Sequence, residues 1–154
     1  MAGKSLADGS GFERHRDTWP LHITLVPWFM PKNENSMIST INKLCDDYST
    51  FSVEIGTVKL FGPNHDVEVN VLADQKEIRA FHDALLNCVI EQEAQLADEQ
   101  HWIRGQYEAH ITRHDGRAAA EGDMQRIDNI SLVKYESQGN TCRVLKTLEL
   151  QASS

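Results

Sequence analysis

Two histidines in this chain each begin the same tripeptide, His22-Ile23-Thr24 and His110-Ile111-Thr112. An imidazole titrates close to neutral pH, so one ring can take a proton while another gives one up. A threonine hydroxyl two positions further on can donate to an anionic oxygen. On a β-strand side chains alternate between faces, so each His shares a face with its Thr while the Ile between them enters a core. Two such strands side by side put two imidazoles and two hydroxyls into one groove, a set suited to acid/base chemistry on a phosphate.

The elements that must hold these strands follow from periodicity. Leu21 to Val26 is short and apolar apart from its His and Thr, and reads as a strand covered on one face and ended by Pro27 and Pro31. Asn33 or Asn35 can cap a helix whose Met37, Ile38, Ile41, Leu44, Cys45 and Tyr48 fall at helical spacing. Phe51 to Leu60 and Val67 to Leu72 alternate as strands, with Phe61-Gly62-Pro63-Asn64 as the turn of a hairpin. Asp74 with Glu77 resembles a capping box, and Ile78, Phe81, Leu85, Leu86 and Val89 mark a second helix that should run to about Leu96. Trp102 to Thr112 carries the second motif on a further strand. Arg113 to Asp128 reads as a long loop or short helix of the kind that forms lids, and Ile130 to Glu136 with Cys142 to Leu150 as a closing hairpin. Each motif strand is followed by a hairpin, so the chain reads as two related halves of an α+β fold, with antiparallel sheet and helices packed outside it.

A length of 154 residues is that of one domain with a real core. Residues 1–18, rich in Gly, Ser and charge, read as a flexible N-terminal arm, and residues 19–154 as the single domain. The formal net charge of −8 argues against a broad grip on duplex DNA but leaves room for a short or terminal nucleotide. Cys45, Cys88 and Cys142 are odd in number and widely spaced, which suggests reduced thiols in a cytoplasmic protein rather than a disulfide framework or thiolate metal site. No apolar run suits a signal peptide or a membrane span, so no membrane partner is expected. A monomer that needs no cofactor is the simplest expectation.

The segments Leu21-His22-Ile23-Thr24-Leu25-Val26-Pro27-Trp28-Phe29 and Ala109-His110-Ile111-Thr112-Arg113 resemble the paired His-x-Thr signatures of the two-histidine phosphoesterase superfamily, in its 2′-5′ RNA ligase or RNA 2′,3′-cyclic phosphodiesterase branch. Element order and motif separation agree from about Trp19 to Leu150. The resemblance implies a bilobal fold with a pseudo-two-fold cleft, and metal-independent opening of 2′,3′-cyclic phosphates on nucleotides or RNA ends, or the reverse 2′-5′ ligation. It implies His22 and His110 as the acid/base pair, His22 as general acid and His110 as general base or the reverse for another substrate or the reverse reaction, with Thr24 and Thr112 on the phosphate oxygens. Departures from the family pattern are Ala109 where Pro is common, Arg113 where an apolar residue is common, and a polar N-terminus where a strand often precedes the first motif.

Around this set, Trp28 and Phe29 could stack on a base, Tyr107 could line the cleft, and Arg113 or Arg117 could add a cation. If the strand continues, Arg113 faces away from Thr112 and His114 returns to the His110 face. His65, His82 and His101 show no companion pattern and read as ordinary structural histidines. Two rival readings remain: a non-catalytic nucleotide or RNA-end binding module with the same cleft, and a metal site built on His110 and His114.

Overall fold

The computed structural model describes residues 13–15, 21–96, 103–113, 118–136 and 141–152. In chain order the elements are β1 (Glu13–His15), β2 (Phe29–Met30), α1 (Glu34–Asp46), β3 (Phe51–Phe61), β4 (Val67–Leu72), α2 (Lys76–Glu91), β5 (Gln95–Leu96), a single 3-10 turn (Arg104–Gln106), β6 (His110–Thr112), β7 (Met124–Ile127), β8 (Asn129–Glu136) and β9 (Thr141–Glu149). They build three antiparallel sheets, ordered β6-β4-β3-β7, β1-β9-β8 and β2-β5. The fold is α+β, as the sequence implies.

Both helices form for the reasons their sequences give. Asn33 caps α1 by accepting the Ser36 N–H at 2.9 Å, and Met37, Ile41 and Cys45 bury one stripe. On α2, Ile78, Phe81, Leu85, Leu86 and Val89 are buried, and the Phe81 ring packs on Tyr48 at a centroid distance of 4.4 Å. The helices share one core with Ile23, Ile55, Leu72, Ile111, Ile127, Ile130 and Leu148 from the sheets. Gly62, at φ +93°, supplies the left-handed residue that the β3–β4 turn requires. No described helix is long and apolar enough to cross a membrane.

Several expectations change. Glu13–His15, within the segment read as an arm, pair with β9, because an edge strand needs only backbone partners and no apolar face. Residues 1–12 and 16–20 lie outside the described residues. The first motif is no continuous strand: the chain bends at Leu25 and Val26, and Pro27 has no N–H for a ladder. α2 stops at Glu91, five residues short of Leu96, where Glu93 at φ +58° turns the chain into β5. The segment read as a loop or short helix ends in β7, which pairs along Phe51 to Glu54 of β3. Finally, the strand of the second motif does not join its own downstream hairpin. β6 pairs with β4 of the first hairpin, so the halves interlock.

Candidate active site

The two motifs meet at one antiparallel bridge between Ile23 and Ile111. Carrying that register one residue each way sets His22 across from Thr112 and Thr24 across from His110. Both isoleucines are buried in the helix-backed core, at 0% and 3% exposure, so the four polar side chains leave on the other face and are all half-buried. In this arrangement His22 and His110 are diagonal neighbours, for which Cβ atoms are typically about 7–8 Å apart. Two imidazoles at that spacing can face one phosphate from opposite sides.

β4 supports the second motif: Val69 pairs with Thr112 and Val71 with His110. The shared face continues onto β3, where Lys59 pairs with Val69 and Phe61 with Val67. Phe61 lies two strands across and four positions along β4 from His110, yet the ring centroids are 4.8 Å apart in an edge-on contact. The hairpin therefore curls over this face and makes it concave. Lys59 comes back in the same way to Glu108, at 3.1 Å, with its side chain still 53% exposed.

The chemistry of His110 is set by its neighbours. Its Nδ1 lies 2.8 Å from the Glu108 carbonyl oxygen, which can only accept, so Nδ1 carries a proton and the titrating lone pair of the neutral ring is on Nε2. Burial pulls the ring below its usual range, opposed by that carbonyl and by the Glu108 carboxylate. A neutral imidazole with its lone pair on Nε2 is a general base in the right state near neutral pH.

α2 and its N-cap residue Gln75 hold the approach to this motif through their side chains. Gln75 Nε2 donates to the carbonyls of Leu72 and Ala109, both at 3.0 Å, while its Oε1 accepts the Ala109 N–H at 2.7 Å. Arg79 donates to the Tyr107 carbonyl at 2.7 Å and 3.2 Å. His82 lies 2.5 Å from the Leu25 carbonyl through Nδ1 and accepts the Arg104 N–H at Nε2, 2.9 Å. It is the satisfied core histidine that the sequence implies, and burial, with Arg104 and Arg79, pulls it below its usual range against the Leu25 carbonyl and Asp83.

The remaining candidates separate. Tyr107 is turned into the core at 4% exposure, stacked on His82, and lines no cleft. Arg113 pairs with Glu68 at 3.7 Å, and Glu68 precedes Val69 on β4, so this cation sits on the face opposite Thr112. Trp28 packs on Tyr135 at 5.4 Å, and with Phe29 it lines a pocket of about 590 Å³ with Met37, Ile38 and Leu145, to which no motif His or Thr contributes. His101, His114 and Arg117 lie outside the described residues. Among the described residues, no three His, Cys, Asp or Glu side chains gather as a metal site. Lys59 and Phe61 escape sequence reading, because an unbroken alternation from Val53 would place them on the core side of β3.

A concave antiparallel sheet on which two His-x-Thr motifs are joined by one bridge, with two helices behind, defines the two-histidine class of phosphoesterase folds. The model of the 2′-5′ RNA ligase superfamily matches residues 5–138, and the chain belongs to that family. Among solved structures, it resembles the crystal structure of TT0787 of Thermus thermophilus, with a TM-score of 0.61 at 19% identity over 87% of this chain and 80% of that one. No curated protein matches it.

Two rings with lowered proton affinity, His82 buried and His110 half-buried, make stability depend on pH. Below the ordinary histidine value of 6.5 the unfolded chain binds protons that folded His82 and His110 resist, so their contribution is intact above that value and is lost as pH falls below it. Urea unfolding should show a lower midpoint at about pH 5.5 than at about pH 7.5. Equal midpoints would contradict this.

Proposed function

We propose that the protein is a metal-independent phosphodiesterase that opens 2′,3′-cyclic phosphates of nucleotides or RNA ends by two-histidine acid/base catalysis. The observation that carries the reading is the Ile23–Ile111 bridge, from which His22, Thr24, His110 and Thr112 follow onto one face. His110, neutral with its lone pair on Nε2, takes a proton from water as the water oxygen attacks phosphorus. The bond from phosphorus to one ribose oxygen breaks on the far side, and protonated His22 delivers its proton to that oxygen. A phosphomonoester is left, and the imidazoles exchange protonation states, to be reset by solvent. The Thr24 and Thr112 hydroxyls meet the charge on the non-bridging oxygens, and Lys59, paired with Glu108, adds a cation on that face.

The test is hydrolysis of 2′,3′-cyclic mononucleotides and cyclic-phosphate-ended RNA with a chelator present, beside linear 2′-5′ oligoadenylate. Turnover of a cyclic substrate that a chelator leaves intact is expected. Tight binding without turnover would replace the enzyme by a nucleotide-binding module, and loss of turnover on chelation would move the chemistry to a metal.

A further inference from the structure

We propose that His82 and the Tyr107 stacked on it form a positioning pair that fixes the two catalytic motifs relative to one another, through a neutral imidazole and a phenol hydroxyl that together tie Thr24 and Leu25 to the segment before His110. The inference rests on the two-histidine reading of the site and adds this pair to it.

The geometry allows one state of the ring. The Leu25 carbonyl can only accept, so Nδ1 must carry the proton; the Arg104 backbone N–H can only donate, so Nε2 must offer its lone pair. One flat side chain, at 0% exposure, thus joins Leu25, next to Thr24, to Arg104, at the start of the approach to His110. Tyr107 closes the link from the other side. Its ring lies parallel on His82, with centroids 4.0 Å apart and planes within 1°, and its hydroxyl donates to the Thr24 carbonyl at 2.8 Å. Gln75 and Arg79 grip only the second motif's approach, whereas His82 holds both.

Packing alone would not select this residue. A buried imidazole loses hydration that an apolar side chain of similar size never had, and this cost is offset only by the two backbone bonds. Phe at this position would keep a ring beside Tyr107 and take from the Leu25 carbonyl and the Arg104 N–H the bonds the imidazole makes to them. The groups facing the ring are Asp83 and Arg79 on its own helix, and Arg104 and Tyr107 on the segment across from it. A second proton would enter at Nε2 against the Arg104 N–H, so the link holds only while the ring is neutral.

Tyr107→Phe is the informative variant, because it keeps the stacked ring and removes only the hydroxyl bond to Thr24; His82→Phe removes the bridge itself. Both are assayed on 2′,3′-cyclic mononucleotides well below the melting temperature, with the folded fraction followed by circular dichroism. The imidazole signals of His22 and His110 are recorded by NMR. In fully folded Tyr107→Phe we expect kcat to fall about tenfold to 100-fold with KM within about twofold, the pattern of misaligned groups rather than weakened binding. The His22 signals should shift as well. Unchanged kcat and unchanged imidazole signals in that folded variant would overturn the proposal, as would activity lost only in step with the unfolded fraction. If His82→Phe does not fold, Tyr107→Phe still decides. If the wild-type protein opens no cyclic phosphate, the functional reading fails on its own, and the NMR shifts still decide whether Tyr107 and His82 position the motifs.

Discussion

His110→Ala and His22→Ala should each lower kcat for cyclic-phosphate opening by about 10²–10⁴-fold while leaving the protein folded. The fold survives because neither ring is core: the bridge and the burial belong to Ile23 and Ile111, which the substitutions leave alone. The loss is large because no other described side chain on this face is an imidazole able to titrate in the working range. On the proposed mechanism acid and base act in one step, so the double variant should be little worse than either single one. The pH profile carries the roles. Burial holds His110 below 6.5, so the acid limb of kcat/KM should lie below that value, and His110→Ala should abolish the limb rather than move it. An alanine variant that kept a tenth or more of wild-type kcat would remove that histidine from the reaction.

Gly56→Ala should cost about 3 kcal/mol or more in stability and reduce activity with it. A Cβ on Gly56 would stand 2.6 Å from the Val71 carbonyl oxygen, 3.0 Å from the Ala73 nitrogen and 3.2 Å from the Ala73 Cα. All three are backbone atoms, and none can swing aside as a flexible side chain would. The carbonyl of Gly56 also accepts the Asn70 side-chain N–H at 3.0 Å, which ties β3 to β4 at the register shift. Val71 pairs with His110, so pushing β4 outward displaces the proposed general base as well as the sheet. Urea unfolding compared with Gly105→Ala, where an added Cβ meets nothing within 4 Å, separates the clash from a general glycine effect. Equal midpoints for the two variants would show that the sheet yields at no cost.

The same register shift explains part of what the sequence hides. Phe51, Val53 and Ile55 alternate legibly, and continuing that period would send Thr57, Lys59 and Phe61 to the core. The bulge between Ile55 and Val58 reverses the phase, so Lys59 and Phe61 reach the His110 face and Val58 and Leu60 stay exposed on the other. No residue type announces this except Gly56. The paired motifs, the Asn33 cap, the apolar stripes of both helices and the two hairpins are local patterns, and they are readable for that reason. The capping box is a near miss of the same kind. Asp74 does accept the Lys76 N–H at 2.9 Å, but the adjacent Gln75 turns away to hold Ala109, 34 residues on. His82 shows the limit most clearly. It stands beside Phe81 on an apolar face, and its partners are 57 residues behind and 22 ahead, so nothing nearby marks it as more than core.

The interlocking of the halves bears on how the chain comes off the ribosome. The bond from Tyr107 to Thr24 closes a loop of 83 residues, and β6 reaches its place only after β3 and β4 exist to receive it. The groove is therefore among the last things to form, since the entropy of closing so long a loop must be met before its contacts form. A growing chain that carries only the first motif has one imidazole and no opposing partner. On the proposed mechanism such a fragment opens no cyclic phosphate, and activity begins only when synthesis has passed the second motif and the two halves have closed on each other.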